Sequence, residues 1–289
     1  MKPIILGDSC ADMGNQYYLD NDVERIRFSY VHNGVEIPDN SIEEEIDSFY
    51  ELISGGERTT TSTINVQTFL DKFRELLATG RPVVYLAFSS GLSASCEAAF
   101  TAREMIKEEF PDGELYVIDS LAASRGEGLL LDKAVKMRNE GKSAKEIADW
   151  LEANKLNCQH WFTVNDLSYL QRGGRVSNVS AYIGSMLDIR PLMTVNRKGG
   201  LVPVAKERGE KRILKAMAAK IGELAEDIEN NSVFIGHGDC LADALALKAL
   251  IEKEHHPKEI LIGRIGSVIG THTGPGVLAL FFMGKERVV

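Results

Sequence analysis

Cysteine is scarce in this sequence, and its four copies (Cys10, Cys96, Cys158, Cys240) stand far apart with no C-x-x-C pair. That spacing suggests neither a disulfide framework nor a zinc site, so free buried thiols in a reducing compartment are expected. Long apolar runs are also missing. Nothing approaches the roughly 18 uncharged residues that a membrane span needs. The opening Pro3-Ile-Ile-Leu6 is too short for the apolar core of a signal peptide, and the expected location is the cytoplasm. Excess positive charge is absent too: the net charge is −9, which argues against non-specific nucleic-acid binding. Internal repeats and low-complexity tracts are lacking.

What is present suits a folded globular protein and not a disordered one. The 289 residues are 44% hydrophobic and 26% charged, enough to bury a substantial core in one large domain or two ordinary ones. In the first half, short apolar runs at Pro3–Leu6, Arg25–Val31, Pro82–Phe88 and Leu115–Ile118 alternate with helical patterns. Those patterns run over about Ser41–Ile53 (Ser41 as N-cap, Glu44 three residues on), Asn65–Ala78, Ser93–Glu109, Ser124–Asn139 and Ser143–Ala153. Alternation at this spacing predicts parallel βαβ units with helices on both faces. After Asn154 the pattern changes. A strand at Gln159–Val164 precedes a short helix and a second helix near Val179–Leu187. A hairpin follows, with arms Arg190–Asn196 and Leu201–Lys206 and its turn at Arg197-Lys-Gly-Gly200. A long helix at Gly209–Ile228 and a βαβ unit through Val233–Ile235, Leu241–Glu254 and Ile260–Arg264 complete the reading. The expected division is therefore 1–155 and 156–289, with no linker to keep the halves apart.

Three polar segments are candidates for chemistry. Ser89-Ser90-Gly91-Leu92-Ser93-Ala94-Ser95 follows a strand and opens a helix, the position where open α/β sheets bind ligands. Its hydroxyls and free backbone N–H groups suit a carboxylate or phosphate, though a serine-rich loop also does no more than cap its own helix. Thr59-Thr-Thr-Ser-Thr63 is a second run of hydroxyls, equally explained by β-branched residues in a strand. In Gly263-Arg-Ile-Gly-Ser-Val-Ile-Gly270-Thr-His-Thr-Gly-Pro-Gly276 the glycines and Pro275 argue against regular structure and place His272 on a constrained loop. His237, at a strand end, reads as structural, and His255-His256 as an exposed helix end.

Thr61-Ser62-Thr63, Ser90-Gly-Leu-Ser93, Asp166-Leu-Ser-Tyr-Leu-Gln-Arg-Gly-Gly-Arg175, Arg190-Pro-Leu192 and Ile269-Gly-Thr-His-Thr-Gly-Pro-Gly276 together resemble the bacterial DegV family. The resemblance runs in order along essentially the whole chain. It implies two α/β domains, the N-terminal one a mostly parallel sheet, with a long-chain fatty acid in a tunnel between them. It implies that Thr61, Ser62, Ser93 and His272 hold the carboxylate. It further implies a carrier without catalysis or cofactor of its own, whose lipid a separate ATP-dependent fatty-acid kinase subunit converts to an acyl phosphate. Arg172 and Arg208 lie in family-like basic segments and are candidates for partner or phosphate contact. The resemblance leaves room for transient contact with a membrane surface. The chain departs from the family pattern at Ile64-Asn65 and at Ala94-Ser95, and oligomeric state is not readable.

The strongest rival is a serine hydrolase using Ser93 and His272. Gly91-Leu-Ser93-Ala-Ser95 nearly matches the G-x-S-x-G elbow, but Ser95 replaces the second glycine and no acidic partner for His272 is evident. Nucleotide loops fail: Lys136 stands where a P-loop ending at Gly141-Lys-Ser143 needs its first glycine, and Leu131 where Gly126-x-Gly128 needs its third.

Overall fold

A computed structural model describes residues 1–176 and 189–288, so the helix expected near Val179–Leu187 lies outside the described residues. The first half forms a four-stranded sheet in the order β2-β1-β6-β7. Its strands β1 (Ile4–Asp8), β2 (Val23–Ile26), β6 (Val83–Ala87) and β7 (Leu115–Asp119) all run parallel. Alternate residues face opposite sides. Ile4, Leu6, Val83 and Tyr85 pack on α3 (Val66–Leu77) and α4 (Ser95–Ile106), while Ile5, Val84 and Leu86 pack on α5 (Arg125–Asn139) and α6 (Ala144–Asn154). The predicted parallel sheet with helices on both faces is therefore the observed one.

In the first half, the Arg25–Val31 strand and the Ser41 cap differ from the sequence reading. The single strand expected over Arg25–Val31 breaks in two. Its first part is β2, and its second, β3 (Ser29–His32), joins β4 (Val35–Pro38) and β5 (Thr59–Thr61) in a separate antiparallel sheet. Ser41 does not cap the next helix, α2 (Glu43–Ser54), whose N-cap is Ile42. Instead Ser41 takes a φ of +55°, and its backbone N–H donates to the buried Asp39 carboxylate at 2.8 Å.

The second half is a six-stranded sheet in the order β10-β9-β8-β13-β11-β12. The strands are β8 (Cys158–Thr163), β9 (Ile189–Val195), β10 (Leu201–Arg208), β11 (Ser232–His237), β12 (Glu259–Arg264) and β13 (Leu278–Met283). Only β11 and β12, joined through α9 (Leu241–Glu254), pair in parallel, as the βαβ reading requires. The strand β13, to which the sequence reading assigned nothing, sits between β8 and β11. One face of this sheet is covered by α9 and α8 (Glu210–Leu224), a helix that stops short of the expected Ile228. The other face turns to the first half. There Phe162, Met193, Phe234 and Phe281 join Ile5, Leu86, Ile118 and α5 in one continuous core. The remaining helices are α1 (Asn15–Asp20), α7 (Leu167–Gly173) and α10 (Ser267–Thr273). The four cysteines are free, three of them buried. No helix among the described residues is long and apolar enough to cross a membrane.

Candidate ligand-binding site

Between the two larger sheets lies a cavity with about 810 Å³ of space between atoms, its opening included. Its walls are mostly apolar. Phe28, Phe88, Leu92 and Ala123 contribute from the first half, and Phe162, Val195, Val268, Val277, Ala279 and Phe281 from the second. Most of the polar lining lies at one end, where Thr61, Ser62, Ser93, Arg175 and His272 are half-buried, whereas Ala123, Ser124, His160 and Phe281 at the far end are buried. The cavity is thus an apolar slot with a polar, partly open mouth.

His272 reaches this mouth from α10 and not from the expected loop. Gly270 within that helix, with Gly266 and Gly274 at its ends, costs helical propensity. Tertiary anchors offset that cost. The buried Asp12 carboxylate accepts from Gly266 N–H at 2.9 Å, and the buried Asp39 accepts from Ser267 Oγ at 3.0 Å. Gly270 then lets the helix lie against α2, since a Cβ there would stand 2.7 Å from the Phe49 ring and 2.8 Å from the Tyr50 hydroxyl. Gly274, at φ +74°, ends it.

The imidazole of His272 is fixed on both sides. Its Nε2 shares a 2.8 Å hydrogen bond with Thr61 Oγ1, which β5 presents at the edge of the small sheet. Its Nδ1 is buried without a protein partner and lies against Gly173, where an added Cβ would stand 2.3 Å away. Burial, with Arg175 nearby, holds the ring well below the usual histidine range, at about 4, so it is neutral at pH 7. Thr59 and Thr271 reinforce the same seam with a 3.0 Å hydroxyl contact.

The serine loop after β6 divides its labour. Ser89 Oγ donates to Gly199 O at 2.9 Å and fastens the β9–β10 hairpin, while Ser90 N–H donates to Asp119 at 3.2 Å. Ser93 lines the cavity and its hydroxyl donates to Ser95 Oγ at 3.0 Å. Ser95 in turn accepts from Ile64 N–H at 2.9 Å, tying this loop to the threonine segment. Ser62 also lines the mouth, but its hydroxyl is turned to Glu36.

Arg172 and Arg208 are exposed and away from the cavity. Arg172 lies over the Tyr169 ring at 4.4 Å and donates to Ser168 Oγ at 2.7 Å; Arg208 ends β10 opposite Ile189. The cation that does line the mouth is Arg175, whose Nε donates to Leu92 O at 3.2 Å. In the sequence Arg175 belongs to the basic cluster Arg172-Gly-Gly-Arg175, of which only Arg172 is a site candidate. The glycine pair was the available signal, because α7 ends there with Gly174 at φ +67° and swings the chain back toward the cavity.

The hydrolase reading finds no support in this arrangement. Ser93 gives its hydroxyl to Ser95, His272 Nε2 is taken by Thr61, and no carboxylate meets His272 Nδ1. Among the described residues there is also no cluster of three or more histidine, cysteine or acidic side chains suited to a metal.

Comparison with known proteins places this geometry in context. A family model described as uncharacterised protein, DegV family, matches residues 2–285. A DegV domain-containing protein of Clostridium perfringens is 39% identical over 288 residues, covering 99% of both chains. A DegV lipid-binding protein of Thermotoga maritima has a similar structure, with a TM-score of 0.88 and 29% identity over 99% of this chain and 100% of that one. A second Thermotoga maritima protein, whose structure is described as revealing fatty acid binding function, superposes with a TM-score of 0.86 and 28% identity, covering 99% and 100%.

Proposed function

This chain belongs to the DegV family, and from that premise we propose that it binds a long-chain fatty acid in the cavity between its two sheets. In this reading residues 1–155 and 156–289 are two domains closing on the acyl chain. The carboxylate rests at the mouth, hydrogen-bonded by Thr61, Ser93 and His272, with Ser62 joining once its hydroxyl turns from Glu36. The protein carries the lipid in the cytoplasm and presents it to a separate ATP-dependent kinase subunit, which forms the acyl phosphate. Arg172 and Arg208, exposed outside the mouth, contact that partner or the new phosphate.

The observation that carries the proposal is a mostly apolar cavity whose mouth gathers hydroxyls, His272 and Arg175. An acyl chain of sixteen carbons has about 14 methylenes worth roughly 0.8 kcal/mol each when buried. The resulting total of about 11 kcal/mol must exceed an association cost of about 4–15 kcal/mol. Net affinity therefore requires a nearly complete apolar wall and a well-paired head group. The Phe, Val and Leu walls supply the first, and a mouth of hydroxyls with Arg175 beside it spares the carboxylate the penalty of unpaired burial. The lipid-binding and fatty-acid-binding descriptions of the two Thermotoga proteins support the same reading.

The test is mass spectrometry of protein purified from bacteria without added lipid, under native and denaturing conditions. A near-stoichiometric fatty acid released on denaturation is expected. Protein that is empty and also fails to take up oleate or palmitate would remove the proposal. Ser93→Ala is expected to weaken lipid retention, and His272→Ala to impair phosphorylation by the kinase more than binding.

A further inference from the structure

The far end of the cavity is closed by a histidine that the site at the mouth does not use. Val277 and then strand β13 follow the cavity inward, with Val277, Ala279 and Phe281 lining it in turn, and β8 runs beside β13 with Phe162 opposite Ala279 and His160 opposite Phe281. Phe281 stands four steps of extended chain beyond Val277, about 13 Å at roughly 3.3 Å per residue. The next inward-facing pair, Cys158 opposite Met283, belongs to the packed core and is not part of the lining. His160 and Phe281 are therefore the last wall residues on their strands.

The His160 ring is held as few cavity residues are. Ala123 N–H donates to its Nε2 at 3.3 Å, and its Nδ1 meets Cys158 O at 3.1 Å. A carbonyl only accepts and an amide N–H only donates, so Nδ1 carries the proton, Nε2 the lone pair, and the ring is neutral. Phe281 stands edge-on to it at 5.3 Å between centroids. Behind it Gly126 brings α5 so close that a Cβ at that position would stand 2.2 Å from Nε2. The ring cannot retreat toward α5, and swinging aside breaks two hydrogen bonds to buried main chain. A leucine or phenylalanine at the same place would change rotamer at far lower cost.

We infer that His160 is a rigid stop for the methyl end of the bound acyl chain and sets the longest chain this protein accepts. The inference rests on the fatty-acid reading of the cavity. It predicts that removing the ring extends the slot, and that replacing it by an unanchored apolar side chain softens the limit.

The experiment loads delipidated protein with an equimolar ladder of even-numbered saturated fatty acids from laurate to arachidate and reads the bound distribution by native mass spectrometry. In His160→Ala, the acid one step longer than the parent's preferred length should gain about tenfold relative to it, about 1.4 kcal/mol, close to the burial of two further methylenes. His160→Leu keeps the core filled and should broaden the distribution without moving its short-chain edge. It gives the answer alone if the alanine variant does not fold. Fatty acids bound by both folded variants with the parent's distribution would overturn the inference and leave the carrier reading standing. Parent protein that binds no member of the ladder would overturn the carrier reading and this inference with it.

Discussion

A neutral imidazole inside a protein makes stability depend on pH, and His272 is such a group. Its folded-state value is lowered from 6.5 to about 4, because burial and the nearby Arg175 oppose its charged form. The unfolded chain then binds more protons than the folded one between those values. The contribution is fully present above pH 6.5 and is lost as pH falls toward 4, up to about 3 kcal/mol in all. His272→Gln should therefore show a smaller fall in melting temperature between pH 7 and pH 4.5 than the parent; equal slopes would show that the ring titrates normally. A bound carboxylate beside the ring favours its charged form, so lipid should reduce the parent's acid sensitivity as well. Gly173→Ala tests the other side of the ring. The new methyl would meet Nδ1 at 2.3 Å, and the displaced ring should lose its bond to Thr61, costing about 1–3 kcal/mol of stability and weakening lipid retention. At this scale the sequence shows the hydroxyl runs and the histidine as motifs, because polar residues cluster there against an apolar background. It does not show that Ser62 turns to Glu36 or that Asp12 and Asp39 are buried anchors. One aspartate looks like another until the chain around it is folded.

Elements with a strong local period are legible, and those held by tertiary contacts are not. The helices α3 and α6 fall within a residue or two of their expected bounds, since their apolar faces recur at helical spacing and Asn65 and Ser143 cap their starts, while α5 and α9 match as closely with little apolar periodicity. At α10 the glycines argue for a loop, and tertiary contacts make a helix of it: the anchors from Asp12 and Asp39, the fit against α2 and α7, and the threonines of β5. The strand β13 is a continuous apolar run, buried on both faces, that carries no alternation to mark it. The expected Arg25–Val31 strand breaks at Arg27–Phe28, where the chain leaves the parallel sheet to start the small antiparallel one. The serine loop and the β9–β10 hairpin form a second contact of this tertiary kind. Gly91 faces Lys198 O so closely that a Cβ would stand 2.4 Å away, and Ser89 bonds the same turn. Gly91→Ala should push the hairpin off the loop. A loss of about 1–3 kcal/mol in chemical denaturation, with faster hydrogen exchange confined at first to residues 196–200 and 89–93, is the expected outcome. An unchanged exchange pattern would show that the turn has room to move.

Across the whole molecule, the core and the cavity make opposing demands on one interface. The two larger sheets share a single apolar core around α5, so neither sheet buries its inner face without the other. The cavity removes packing from that same interface, and an empty apolar slot forfeits the contacts its lining would otherwise make. A lipid filling it binds only the folded state and therefore stabilises the protein by mass action, about 2.7 kcal/mol at a free concentration one hundred times the dissociation constant. Near the melting point each kcal/mol shifts a chain of this size by about 2–4 °C, so lipid at that level should raise the melting temperature by about 5–10 °C. Calorimetry of the delipidated and loaded protein should show one transition in each case, displaced upward by lipid, with calorimetric and van't Hoff enthalpies in agreement. Two resolved transitions in the delipidated protein that merge on loading would carry a different meaning. The shared core would then be too weak to couple the sheets alone, and the acyl chain would be the element that joins them.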